Sequence, residues 1–140
     1  MVASRADKYT QSQKQEFFTD FLNDFDKHPL NNTLAKVTNE NAVKQSIRNL
    51  ILTNRGERLF QPTIGSDIYR SLFEPNDVIT AENITFFVRS TISQNEPRAL
   101  LLEVNVYPNP DRNAFTVNVV FSLINNNTPI QLSVILKRVR

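Results

Sequence analysis

The sequence predicts an α+β fold: two main helices plus a short helix packed on a C-terminal three-stranded antiparallel meander. Three observations predict it. Apolar residues recur at helical spacing across 40–54 and 81–95. The period drops from 3.6 to 2 after residue 99 and stays there to the end. Two turn-forming runs, "PNPDRN" (108–113) and "NNNTP" (125–129), cut that alternating stretch into three strands. Helices first and sheet last is the order of an α+β domain.

Residues 1–16 are polar and mixed in charge, and they read as a flexible arm ahead of a single domain at 17–140. Phe17, Phe21 and Phe25 are four apart, which suits a helix. The aspartates between them and the turn-like "HPLNN" argue for an extended or short-helical segment that packs through its aromatics. His28 reads as a turn residue before Pro29. In 40–54, Val43, Ile47, Leu50 and Ile51 share one face, with Lys44 and Arg48 opposite. Thr38 or Asn39 is placed to cap the start. Gly56 is placed as a left-handed C-terminal cap, flanked by Arg55 and Arg58.

"ERLFQPTIGSD" crosses the surface, with Pro62 and Gly65 as breakers. "SDIYRSLF" (66–73) makes two helical turns capped by Ser66. Thr80 is placed to cap the helix 81–95, whose inward face holds Ile84, Phe87, Val88, Thr91 and Ile92. Leu102, Val104 and Val106 mark the apolar face of the first strand. Phe115, Val117, Val119, Phe121 and Leu123 mark the second, and Ile130, Leu132, Val134 and Leu136 the third. The helices should cover that face. In a meander, strand 114–124 is central and strands 100–107 and 130–139 are the edges.

Composition excludes several chemistries. The 140 residues suffice for one core, 40% are hydrophobic, and the formal charge is only +2. There is no cysteine, one histidine and two glycines. Thiol catalysis, multi-histidine metal sites and Gly-rich phosphate loops are therefore outside this chain's means, and no cofactor is expected. No apolar run approaches a membrane span. "MVASRADKYTQSQKQ" has no apolar signal-peptide core, so synthesis and use in a cytosol are expected.

"NEPRALL" (95–101) sits at the joint between the longest helix and the first strand. Pro97 disfavours helical geometry at Glu96, so the helix should end near Asn95. The flanking charges admit two readings. Glu96 and Arg98 are solvated loop charges, or pair locally with Arg55 or Arg58; alternatively they are a rigid charged contact for a partner.

"NAVKQSIRNLILTNRGERLFQPTIGSDI" followed by "NEPRALL" resembles the small baseplate wedge protein family of contractile-tailed phages, which also includes a baseplate component of bacterial type VI secretion systems. The helix with "VKQSIRNLI", the run T-x-R-G-E-R-x-F-x-P-x-x-G and "EPR" before a meander occur in order over about residues 26–140. The resemblance implies a structural part of the virion tail baseplate, assembled in the host cytoplasm as a hetero-oligomer with one or more copies per wedge. It implies that Glu96, Pro97 and Arg98 contact the helical core bundle of other wedge proteins, with Arg55 and Arg58 as further partner-binding candidates. It also implies a docking surface for the first tail-sheath subunits, by strand exchange at an open edge. Strand 130–139, through Gln131, Ser133 and Ile135, is the expected sheath-docking strand.

Two rival readings follow from residue types. A lysozyme-like glycoside hydrolase would use a carboxylate pair drawn from Glu57, Asp67, Glu96 and Glu103. No spacing among them dictates a cleft, and Glu57 lies between Arg55 and Arg58, which favour its ionised form, whereas a general acid needs a raised pKa. Nucleic-acid binding would draw on Arg48, Arg55, Arg58, Lys137, Arg138 and Arg140, with Tyr69 and Tyr107 for stacking. The basic residues are interleaved with acidic ones, so neither nucleic acid nor membrane is an expected partner.

Overall fold

The computed structural model describes residues 18–138. The expected arm at 1–16, Phe17 and Arg140 lie outside them.

The first aromatic segment is extended. Strand β1 (Thr19–Phe21) pairs antiparallel with β2 (Lys36–Thr38) in a small two-stranded sheet. Helical spacing of the phenylalanines does not prevail, because the loop between the strands must reverse the chain. Phe25 and Asn32 adopt positive φ there, and the His28 ring accepts the Leu30 N–H through Nδ1 at 3.3 Å. His28 is thus the expected turn residue.

Helix α1 (Glu40–Leu52) buries Val43, Ile47, Leu50 and Ile51 as its spacing requires. Its start differs from expectation. Asn39 stands at the N-cap with φ 49°, but it makes no side-chain cap bond to the helix. Its Oδ1 accepts the Phe18 N–H at 3.3 Å and its own N–H donates to the Phe18 carbonyl at 2.7 Å, so it latches β1 to the helix. The helix stops at Thr53, whose Oγ1 donates to the Asn49 carbonyl at 2.7 Å. Gly56 has the expected positive φ of 87°, but three residues later, in a turn rather than at the cap.

Two other caps are also displaced. Helix α2 is the single turn Ile68–Ser71. Ser66 does not cap it; its hydroxyl donates to the Ile51 carbonyl at 2.9 Å and ties the loop to α1. Helix α3 spans Val78–Asn95, beginning three residues before the expected start. Asp77 is the cap, and its carboxylate accepts the Thr80 N–H at 2.8 Å. An aspartate three residues ahead of Thr80 takes the place expected of Thr80 as the acceptor for the first turn.

The C-terminal sheet is the expected meander, ordered β3-β4-β5 (Ala99–Asn109, Ala114–Leu123, Asn126–Lys137) and antiparallel throughout. A 3₁₀ turn at Pro110–Arg112 joins the first pair. The second turn is shorter than "NNNTP" predicts: Leu123 faces Asn126 and only Ile124 and Asn125 lie between. The register shifts just beyond, so 127–129 with Pro129 form an irregularity in the ladder. A second irregularity lies between Leu101 and Glu103. It changes the phase of β3, so Leu101 packs on the core and Leu102, expected inside, is exposed.

One core joins the layers. Val117, Val119 and Phe121 of central β4 are fully buried beneath Ile84, Val88 and Ile92 of α3 and Val43, Ile47 and Ile51 of α1. This packing leaves β3 and β5 as the two edges.

Candidate functional site

The "EPR" turn is built by the end of α3. The helix gives out at Glu96, as Pro97 requires, and the Ala99 N–H donates to the Glu96 carbonyl at 3.3 Å to close the turn into β3. That closure brings residues 96 and 98 onto one side. Arg98 Nε donates to Glu96 Oε1 at 2.6 Å and an Nη donates to Oε2 at 2.8 Å, a two-point pair. The Ser46 hydroxyl of α1 donates to the same Oε2. Glu96 is 2% exposed, Arg98 is half-buried and Pro97 is exposed. The Arg98 guanidinium also lies 5.7 Å from the centre of the Phe18 ring, so the turn grips the β1 segment.

Burial alone would raise the pKa of Glu96. The Arg98 hydrogen bonds, then the Ser46 bond and the Arg98 charge, outweigh it and hold the carboxyl below its ordinary value. The Glu96 hydrogen bond correspondingly raises Arg98, against the effect of its burial. Neither of the local readings of these charges describes the pair. They are not solvated charges and do not meet Arg55 or Arg58; they engage each other. Ser46 and Phe18 were not legible as members of this cluster, because each comes from an element distant in sequence.

The "RGER" segment opens a compact loop. Asn54 to Glu57 form a β-turn in which the Glu57 N–H donates to the Asn54 carbonyl, and Gly56 takes the third position. The Glu57 carboxylate accepts the Asn54 N–H at 2.9 Å. The loop ends meet where Ser66 N–H donates to the Thr53 carbonyl at 2.9 Å and Arg55 N–H to the Ser66 carbonyl at 3.2 Å. Arg55 pairs with Asp67 at 3.2 Å. Arg58 is exposed, with no ion pair among the described residues.

Edge strand β5 exposes Gln131, Ser133 and Ile135 on one face, while Ile130, Val134 and Leu136 are buried on the other. An open groove of about 580 Å³ lies between α1 and this strand, lined by Leu22, Lys44, Gln45, Arg48, Leu52 and Leu132, among others.

The four carboxylates considered for hydrolysis do not form a dyad. Glu96 is sealed by Arg98 and Ser46, Asp67 is held by Arg55, and Glu57 closes its own turn. Glu103 is exposed and accepts from the Asn105 side chain at 2.8 Å. The basic residues weighed for nucleic-acid binding are partly engaged within the chain: Arg55 pairs with Asp67. Arg138 stacks 5.2 Å over the Phe73 ring, against which Tyr69 sits edge-on. Among the described residues no cluster of histidine and carboxylates could hold a metal, and no helix is long and apolar enough to cross a membrane.

Comparison with known proteins adds a family. The family model described as baseplate wedge protein gp25 matches residues 37–128, from β2 to the start of β5. The baseplate wedge protein gp25 of Enterobacteria phage T4 is 34% identical over 90 residues, which are 64% of this chain and 68% of that protein. Two solved structures share the fold. One, from Geobacter sulfurreducens and named as a candidate tail lysozyme, is 25% identical with a TM-score of 0.66, over 72% of this chain and 92% of that one. The other is a chain of the anti-feeding prophage baseplate, 21% identical with a TM-score of 0.60, over 85% of this chain and 84% of that one.

Proposed function

Since this chain belongs to the baseplate wedge protein gp25 family, we propose that it is a non-catalytic structural part of a contractile-tail baseplate wedge. It joins other wedge proteins through the Glu96-Pro97-Arg98 turn and the Arg55–Arg58 segment. It also offers β5 as the template for the first sheath subunits. Residues 17–140 act as one unit in this role, assembled into the tail baseplate in the host cytoplasm.

The observation that carries this reading is the open β5 edge. In β5 (Asn126–Lys137), Asn126 and residues 130–137 pair with β4, no strand among the described residues pairs with the other edge, and Gln131, Ser133 and Ile135 are exposed. An extended segment of another chain adds to such an edge through backbone hydrogen bonds. The edge also carries Lys137 and Arg138, charges that discourage indiscriminate pairing. At the "EPR" turn the acid holds the base in place. Pro97 is left exposed beside a half-buried Arg98 already held in place, with little ordering left to lose on binding.

The commitment of all four carboxylates to local bonds argues against the hydrolase alternative. The test is direct: purified protein incubated with peptidoglycan should release no fragments, while the same preparation restores baseplates in particles lacking it. Turnover that Glu57→Gln or Glu96→Gln abolishes would replace this reading with the enzymatic one.

A further inference from the structure

We propose that the groove between α1 and β5 selects the segment that adds to the β5 edge, and that this segment carries carboxylates and a bulky apolar residue at alternate positions, on its groove-facing side. The inference rests on the template reading of β5 and deepens it. Backbone pairing alone would accept any extended chain, and the groove supplies the choice.

The placement follows from the fold. Side chains of paired residues on neighbouring strands stand on the same face of a sheet. Leu132 lies on the face of β5 that packs against the core, and it lines the groove of about 580 Å³. A residue added opposite Leu132 therefore points to the groove side. The facing wall is α1, which presents Lys44, Arg48 and Leu52 at i, i+4 and i+8, one stripe along the helix. Lys44 and Arg48 are each two residues from Ser46, about 160° around the helix. Ser46 meets Glu96 at the end of α3, so the stripe faces away from α3. Leu22 and Asp24 of the hairpin close the third side. The hairpin is fixed there: Asn23 and Asn49 exchange side-chain hydrogen bonds at 3.0 Å, and Gln45 donates to the Phe21 carbonyl at 2.7 Å.

The lining sets the chemistry. Leu22, Leu52 and Leu132 supply apolar surface, and Leu52 is 51% exposed. Among the described residues neither Lys44 nor Arg48 has an ion pair, and Asp24 is the one carboxylate in the lining. Two cations against one anion leave the groove basic, so its complement is acidic. The two cations are one turn apart, about 6 Å along the helix. Alternate side chains of a strand are roughly 6.7 Å apart, so carboxylates two residues apart match them.

The test counts baseplates that carry polymerised sheath when they contain the full chain with Lys44→Glu and Arg48→Glu. Both positions are on the helix surface, and the variant should melt as the wild type does. Complete wedges with sheath reduced at least about tenfold are expected. Lys44→Gln with Arg48→Gln should lose less, and Lys44→Arg with Arg48→Lys should be near normal. A photo-reactive benzoylphenylalanine at position 52, irradiated in sheathed particles, should crosslink to another protein at a segment with Asp or Glu at alternate positions. Normal sheath on the reversed charges, or a crosslink only to a second copy or to residues 1–17 of this chain, overturns the proposal. Should the reversed variant melt low, normal sheath on the glutamine pair does the same. The template reading fails separately. Normal sheath on a fold-preserving proline variant of β5 removes strand addition and this selection with it. Lost sheath on that proline beside normal sheath on the reversed charges removes the groove alone.

Discussion

At the scale of residues, the most consequential group is the Glu96 carboxylate. It is buried, and both of its oxygens depend on Arg98, with Ser46 as second donor to one of them. Removing the arginine strands a buried charge, which costs more than the net value of the pair. Arg98→Ala should lower stability by about 2 kcal/mol in urea denaturation, and adding Glu96→Gln should recover part of that loss. A loss of baseplate assembly in Arg98→Ala alone would therefore mix folding with contact. The interface role of the turn is read more cleanly at exposed Pro97.

The same carboxylate sets a pH dependence. Its folded-state pKa lies below the ordinary 4.5, so as pH falls the unfolded chain takes up the proton first. Its stabilisation is complete above about 4.5 and is lost as pH drops through the lowered folded value. Asp77, held low by the Thr80 backbone N–H, acts in the same direction. Thermal melts between pH 7 and pH 3 should fall more steeply below pH 5 for wild type than for Glu96→Gln. Parallel curves would mean that Glu96 titrates alike in both states. That Pro97 ends the helix was legible in the sequence. The pairing of residues 96 and 98 was not, because it depends on how the turn closes after the proline.

At the scale of elements, the two glycines make different demands. Gly56 has φ 87° and open space around a would-be Cβ, so Gly56→Ala meets only conformational strain, about 1 kcal/mol. Gly65 has φ 130°, and a Cβ there would sit 2.8 Å from the Thr53 oxygen and the Asn54 carbonyl carbon. Gly65→Ala should therefore lower the melting temperature well beyond Gly56→Ala, since the obstruction is backbone; equal losses would show that the loop base gives way. Periodicity located α1, α3 and all three long strands, because amphipathic spacing follows from burying one face of each element. Caps and phases were less legible. Asn39 serves β1 instead of α1, Ser66 serves the α1 carbonyl instead of α2, and the irregularity after Leu101 turns Leu102 outward in an unbroken leucine run. In each case a contact from a distant element decides among locally equivalent choices.

At the scale of the whole molecule, the helices cover one face of the meander, and among the described residues no strand pairs with the outer edge of β5. The meander order, and hence which strands are edges, was legible from three alternating runs joined by short turns. What docks on the edge is a question of backbone groups, and successive residues of an edge strand point their N–H alternately toward β4 and away from it. Proline substituted in turn at Leu132 and Ser133 distinguishes the two orientations. One breaks the ladder and lowers the melting temperature; the other removes only an outward N–H and leaves the fold intact. The decisive measurement is the fraction of baseplates, counted by electron microscopy, that carry polymerised sheath when they contain the fold-preserving proline variant. Complete wedges with almost no sheath, beside near-normal sheath for alanine at the same position, is the result expected of a template strand; normal sheath growth on the proline variant would contradict it.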